Sequence, residues 1–406
     1  MDIKLAWRNV WRNRRRSVII ISAIAIGLAG VVVYEALTVG MTTQMVENIV
    51  GTSLGDIEIH HRGFQESKTL ELAIDNPEQV LRLVRGTEHV SAAAPRVRAQ
   101  GLVSSARASA GVQILGVDPT AEAAVSTIAH SLVRGRFLAA ADEYAIYLGE
   151  ALAKKLKVGL GRKVVLMAKG LAPGMASNAF RVVGTFQTAS PNFDKMTVYI
   201  PLAAAQSLLS LDGKISEIAV RIDRQRSLEQ VAATLRTKLA PNEYEVLTWK
   251  ELVPNLVQMT QLWEEWVYLF AFVIYIAMVF GVTNTMLMVI SERTRELGIM
   301  LALGTRPLRI FRMILIESAL MGLVSVALGS AASFGVVWWL SLQGLDLGWF
   351  VRGLSFLGLS RIIYPVLTPS ILLISGLSAL VATVLAAIWP AWRAVRLEPV
   401  EAIRDA

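Results

Sequence analysis

The sequence predicts a membrane α-helical protein, with four transmembrane helices and one large α+β domain inserted between the first and the second. Three observations carry that expectation. Of 406 residues, 54% are hydrophobic and only 18% charged, against about 25% charged in an average soluble domain. The apolar residues gather near the N-terminus and in the last third. Between those zones, residues 41–261 hold 24 Lys+Arg against 21 Asp+Glu and many short alternating runs.

The elements follow in chain order. Residues 1–16 carry six basic side chains: Lys4, Arg8, Arg12, Arg14, Arg15 and Arg16. Trp7 and Trp11 stand one helical turn apart among them, which predicts a short amphipathic helix on the cytoplasmic lipid surface. Residues 17–40 contain the apolar run 18–39; about 20 such residues cross a bilayer as a helix. The run is too long for a signal peptide and no small-residue cleavage site ends it, so an uncleaved span is expected.

Residues 41–262 are the α+β domain, expected as two subdomains outside the membrane. Alternation at 56–60, 163–167, 180–184, 197–200 and 217–222 predicts strands. Helical periodicity appears at 77–85, 149–157, 202–209 and 227–239. Residues 263–290, 313–342 and 367–389 are the remaining spans. A cytoplasmic loop (291–312), an outer loop (343–366) and a tail (390–406) complete the chain.

Orientation follows from Lys and Arg beside the spans. Five arginines (Arg293, Arg295, Arg306, Arg309, Arg312) lie between the second and third spans, and Arg393, Arg396 and Arg404 follow the fourth. The loop between the third and fourth holds only Arg352 and Arg361. Both termini are therefore expected in the cytoplasm, with the large domain outside. The net charge of +8 sits beside the spans, which speaks for lipid headgroups and against nucleic acid as partner.

Catalytic chemistry is not legible. The chain has no cysteine, which removes disulfides, thiolate nucleophiles and cysteine zinc sites. Gly159-Leu-Gly-Arg-Lys163 has the wrong spacing for a phosphate loop, and no hydrolase or zinc-protease signature occurs. His60 and His61 are adjacent on a predicted strand, so they point to opposite faces and are expected as ordinary strand-end residues. No metal, cofactor or catalytic residue is expected. Among acids in the spans, Glu35 and Glu317 stand near the ends and are expected to reach the interface. Ala23, Gly27 and Gly30, and Ala327, Ala331 and Gly335, permit close helix contact within the chain or between copies.

The most informative stretch is 291–310, where Glu292, Arg293, Arg295 and Glu296 fit one short helix and Gly298 and Gly304 allow tight turns. Glu292-Arg-x-x-Glu-Leu-Gly298 followed by Ala302-x-Gly304 resembles the coupling segment of the macrolide-exporter/FtsX-like family of ABC transporter permeases. Pro390-Ala-x-Arg-Ala394 with the stretch 398–404, and the basic Trp-Arg-Asn leader, resemble that family's two ends. Gly51-Thr-Ser-Leu-Gly-Asp-Ile-Glu-Ile-His60, Gly116-Val-Asp-Pro119, Gly149-Glu-Ala-Leu-Ala153 and Arg181-Val-Val-Gly-Thr-Phe186 are most similar to its lipoprotein-releasing members.

The resemblance implies a permease subunit without an ATPase domain of its own. It would work with two copies of a separate cytoplasmic ABC ATPase, which binds the ATP, and with a second permease copy or a sister permease. ATP-driven motion would reach the outer domain by mechanotransmission and serve lipoprotein release from a bacterial inner membrane. It implies ATPase coupling at Glu292, Arg293, Glu296, Gly298 and Gly304, and a cargo cavity at Val32, Glu35, Leu37 and Phe270. Docking of a periplasmic carrier is implied at Leu171, Pro173 and Met175, in a loop shorter than the family's hook. Export of a small molecule or peptide through a periplasmic adaptor, or regulation of a periplasmic cell-wall hydrolase, are the alternatives.

Overall fold

The computed structural model describes residues 2–12, 14–348 and 362–396. The terminal stretch 398–404 and both arginines of the outer loop, Arg352 and Arg361, lie outside the described residues. The chain divides into a sheet-rich unit, mainly Thr43–Met259, and a helical unit formed by the N-terminal segment through Thr42, Thr260–Asp346 and the chain from Ile362.

Helix α1 (Asp2–Arg12) leads into α2 (Arg14–Ile49). In α1, Ala6 and Val10 are buried while Trp7 and Trp11 are exposed, their rings edge to face at 5.8 Å. Two exposed tryptophans opposite a buried seam are the amphipathic pattern expected of a helix at a lipid surface.

The sheet-rich unit follows in order: β1 (Ile57–His61), α3 (Phe64–Ser67), α4 (Pro77–Arg85), β2 (Val90–Ser104), β3 (Ser109–Val117) and α5 (Pro119–Val125). Then come β4 (Leu132–Gly135), β5 (Ala145–Gly149), α6 (Glu150–Leu156), β6 (Lys163–Lys169), β7 (Met175–Phe186) and α7 (Pro191–Met196). It ends with β8 (Thr197–Pro201), α8 (Leu202–Leu209), β9 (Glu217–Ile222), α9 (Leu228–Lys238), β10 (Tyr244–Thr248) and α10 (Trp249–Leu252). Every run expected as strand or helix forms one.

These strands make one sheet. Six of them close a ring, β2-β3-β8-β5-β7-β6, in which β6 pairs back onto β2. The long β2 changes partner along one edge, from β9 over Val90–Arg96 to β6 over Gly101–Ser104. Beyond β9 lie β1 and β10. The two expected subdomains are therefore not separate sheets, because β2 belongs to both. Closing the ring removes free edges, and Leu115, Tyr147, Phe186 and Tyr199 fill one side of it. Two of the quoted strings have local structural jobs. Asp118 accepts from the N–H groups of Thr120 and Ala121 and caps α5. A side chain at Gly149 would collide with the Asp194 carbonyl, so only glycine lets β5 turn into α6 there.

The helical unit continues with α11 (Pro254–Glu292), α12 (Thr294–Ala302), α13 (Pro307–Gln343) and α14 (Pro369–Val395). Helices α2, α11, α13 and α14 are long and apolar enough to cross a membrane. The 39 residues of α11 measure about 58 Å, well beyond a hydrocarbon core of about 30 Å. Ile24, Leu28 and Val32 of α2 pack with Met278 and Val282 of α11, Met321 of α13 and Ala379 and Ala386 of α14. Polar ties cross between helices: Thr283 Oγ1 donates to the Ala386 carbonyl at 3.0 Å and Ser318 Oγ to the Thr383 carbonyl at 2.9 Å. In a hydrocarbon solvent such bonds and close small-residue contacts replace the hydrophobic drive. Gly27 faces Met278, so that small residue serves packing within the chain, whereas Gly30 and Gly335 face open space.

Candidate functional site

The segment between the second and third long helices starts where α11 stops. Arg293 leaves helical geometry with its N–H still bonded to the Ile290 carbonyl, and its own carbonyl accepts from Leu297 to begin α12. The four charges expected on one short helix are thus divided: Glu292 ends α11, and Arg295 and Glu296 belong to α12. The chain turns because Leu297, Met300 and Leu301 find burial against Ile310, Ile314, Ala391 and Ala394.

Gly298 is buried in α12. Gly304 follows the helix with φ +82°, the left-handed conformation that closes helix ends and that glycine adopts without strain. Pro307 then opens α13. The turn leaves Leu303 81% exposed and Leu308 66% exposed, with Ile299 beside them and Arg306 between. Two exposed leucines on one turn beside basic residues suit a protein partner better than water.

The glutamates of this segment are already engaged inside the chain. Arg12 Nη2 donates to both oxygens of Glu296, at 2.9 and 2.6 Å. Arg16 pairs with Glu292. Arg293 Nη1 donates to Glu317 Oε2 at 3.2 Å, and its Nε lies 3.4 Å from Glu296. Arg12 beside Glu296 is the main cause holding that carboxyl below its ordinary range. Glu317, expected at the interface, is instead buried with Arg293 as its counter-ion, because an unpaired acid there has no water to turn to. These six charges and Ser17, Ile20, Met286 and Met321 enclose a cavity of about 220 Å³.

At the opposite end of the helices, the expected cavity residues separate. Val32 is fully buried in the helix core. The cavity expectation fails for it, since its position on α2 faces the neighbouring helices. Glu35 accepts from Ser375 Oγ at 3.1 Å, and Tyr275 OH donates to the Ser375 carbonyl; Glu35 is tied to α14 rather than standing alone. Leu37 is half-buried, and Phe270 is exposed with its ring 4.3 Å from that of Tyr34.

In the sheet-rich unit, Leu171, Pro173 and Met175 stand exposed on or beside the five-residue loop between β6 and β7. The Leu171 N–H is bonded to the Leu209 carbonyl, which ties the loop to the end of α8. Leu171 also lines a cleft of about 520 Å³ with Phe64, Leu70, Gln100, Gln113 and Leu252.

A family model of the MacB-like periplasmic core domain matches residues 17–238, and one of the FtsX-like permease C-terminal matches residues 268–399. The chain belongs to the MacB/FtsX-like family of ABC transporter permeases. It is 24% identical over 350 residues to the lipoprotein-releasing system transmembrane protein LolC of Xylella fastidiosa, covering 80% of this chain and 81% of that one. It is 25% identical over 421 residues to the macrolide export ATP-binding/permease protein MacB of Campylobacter jejuni, covering 98% of this chain and 60% of that longer protein. Among solved structures it is similar to the periplasmic region of MacB from Actinobacillus actinomycetemcomitans, with 16% identity and a TM-score of 0.38 over 53% of this chain and 97% of that one.

The permease also carries a charge cluster that the sequence reading missed. Arg96, nearly inaccessible inside the sheet, donates through Nε and Nη2 to both oxygens of Glu122 at 2.8 and 2.7 Å, and through Nη1 to the Ser53 carbonyl at 2.7 Å. Arg98 makes the same two-pronged contact with Glu217, both bonds 2.7 Å, and reaches Glu58 at 3.2 Å. His60 lies 3.0 Å from Glu58. It stands next to last in β1, at the strand end as expected, yet is 1% exposed because Phe64 stacks over its ring at 5.3 Å. Burial alone would lower the His60 pKa, but Glu58 and Glu217 outweigh it and raise the pKa. Burial likewise opposes ionised Glu217, yet Arg98 first, then His60 and Arg96, pull it down to about 2.

Glu58, His60 and Glu217 place one ligand atom each within 4.8 Å of one another. Both carboxylates already bond Arg98, with His60 on Glu58 and Arg96 near Glu217 as further bases, so the arrangement fits an ion-pair network and not a metal. The alternation Glu58-x-His60 was the available signal, since such residues share one strand face.

Proposed function

We propose that this chain is the permease subunit of an ABC transporter of a bacterial inner membrane, driven by two copies of a separate cytoplasmic ATPase and paired with a second permease. The carrying observation is the α12 turn, which offers Ile299, Leu303 and Leu308 at one end of the helical unit while α12 itself packs on α13 and α14. A short helix wedged between spans converts a push from outside the membrane into movement of those spans. Glu292, Arg293, Glu296, Gly298 and Gly304 shape this coupling element. Leu303→Glu should abolish co-purification of the ATPase and its stimulation by the permease; unchanged stimulation would remove this segment from the coupling role. Both termini and the 291–312 loop would then be cytoplasmic. A phosphatase fused after Gln206 should be active and one after Gly304 silent, and the reverse pattern would overturn the topology.

The task that fits best is the extraction of lipoproteins. Each buried CH₂ of an acyl anchor is worth about 0.8 kcal/mol, so pulling out several chains requires ATP. Glu35, Leu37 and Phe270 are the proposed cargo-facing residues, and Leu171, Pro173 and Met175 the proposed contact for a periplasmic carrier. A photo-crosslinker at Leu37 or Phe270 should trap a triacylated protein without ATP and release it with ATP. Capture of phospholipid alone, independent of ATP, would favour the second reading, export of a small molecule or peptide with a periplasmic adaptor. Alignment with the macrolide exporter over 98% of this chain is the observation on that side.

A further inference from the structure

Two pairs of residues form a ladder between distant parts of the chain. Arg12 and Arg16 are four apart, as are Glu292 and Glu296, and the rungs run antiparallel: Arg12 to Glu296 and Arg16 to Glu292. The break at Arg293 lets both carboxylates meet the arginines although they sit on different helices. Behind the ladder, Arg293 joins Glu296 to the buried Glu317 of α13. The N-terminal helix is also held independently, by burial of Ala6 and Val10 and by Ser17 Oγ donating to the Val10 carbonyl.

We propose that Arg12, at the end of α1, and Arg16, in the first turn of α2, are positioning residues that clasp the junction of those two helices to the coupling element, Arg12 to Glu296 of α12 and Arg16 to Glu292 at the end of α11, so that α1 and α12 move as one body. The inference rests on the coupling reading given above and reassigns its two glutamates. Glu296 holds the end of α1 and Glu292 the start of α2, and the exposed apolar turn at Ile299, Leu303 and Leu308 meets the ATPase. A helix lying on lipid through Trp7 and Trp11 then gives α12 a purchase on the membrane surface, against which an ATPase can work. A free loop would swing without transmitting its motion.

The test uses charge exchange in the full permease reconstituted with its ATPase. Arg12→Glu/Arg16→Glu and Glu292→Arg/Glu296→Arg should each still bind the ATPase but lose permease-stimulated hydrolysis by about tenfold. The quadruple exchange should recover most of it. Recovery is the readout that direct contact between the glutamates and the ATPase cannot give. Two inactive doubles and an inactive quadruple would overturn the clasp and leave the coupling reading standing. Normal stimulation in both doubles would also overturn it. Loss of the coupling reading itself shows separately, as a Leu303→Glu permease that is still stimulated.

Removing arginines beside the first span risks misinsertion, so a second variant guards the test. The chain has no cysteine, which makes Arg12→Cys/Glu296→Cys the only thiols in the permease. Joining them with a short bismaleimide should restore the stimulation lost in the unlinked pair. Efficient linkage without restoration would overturn the proposal.

Discussion

Two clusters in this permease use the same inventory, three acids and three bases, in opposite surroundings. In the sheet domain Arg96, Arg98 and His60 face Glu58, Glu122 and Glu217, and only Arg98 reaches noticeable solvent. At the α12 turn Arg12, Arg16 and Arg293 face Glu292, Glu296 and Glu317, and the Arg12–Glu296 rung is about half exposed on both sides. The first cluster has paid the loss of hydration, so each charge depends on its particular partner and on carbonyls such as that of Ser53. In the second, the Arg12–Glu296 rung keeps much of its water and contributes little stability while fixing geometry, and only the Arg293–Glu317 pair behind it is buried. The first locks β1, β2, β9 and α5 together; the second ties the α1–α2 junction to α12, α13 and the end of α11, where the proposed coupling element needs a joint.

Experiments can break or sharpen that contrast. The largest effect is expected from Glu122→Ala, which leaves Arg96 buried without its two-pronged partner and with Glu217, 3.7 Å away and already bonded to Arg98, as its nearest carboxylate. Unfolding of the purified permease should lose about 3–5 kcal/mol, and exchanging the pair as Arg96→Glu/Glu122→Arg should not restore it, because the bonds to Ser53 and Leu54 are lost. A mild effect, or full rescue by exchange, would mean that the sheet cluster is as adaptable as the coupling one. Arg12→Glu should cost less than about 1 kcal/mol of stability while removing most stimulated ATP hydrolysis. Equal losses in both would mean that the ladder is a fold element only.

The pH response comes next in size. The His60 pKa is raised in the folded protein, so the folded state binds the proton more tightly than the unfolded chain. The resulting stability is complete below the ordinary imidazole value of about 6.5 and fades as pH rises through the folded value. Thermal unfolding followed from about pH 6 to about pH 9 should show that alkaline decline, and His60→Gln should flatten it. A decline of unchanged slope in the variant would place its origin elsewhere. The smallest effect is that of salt. Raising ionic strength from about 0.1 M to about 1 M shortens the screening length from about 10 Å to about 3 Å. It should loosen the Arg12 rung, read as faster labelling of Ala6→Cys on the buried face of α1, and leave the Arg96–Glu122 pair unmoved.

Much of this architecture was legible in the sequence because it follows from local physics. Length and apolarity mark the four long helices, and alternation marks β1, β6, β7, β8 and β9. The 3.6-residue period marks α4, α6, α8 and α9. Asp118 and Gly304 signal a cap and a turn by residue type alone. The tertiary structure decided what depends on partners far along the chain. Arg12 meets Glu296 across 284 residues and Glu217 meets Arg98 across 119. Val32 and Leu37 look alike in an apolar run, yet one is sealed in the helix core and the other half-open. His60 differs from His61 only because β1 is covered on the face that His60 occupies. A charge or an apolar residue announces its chemistry in one dimension, but its dielectric surroundings and its counter-ion exist only once the strands and helices have packed.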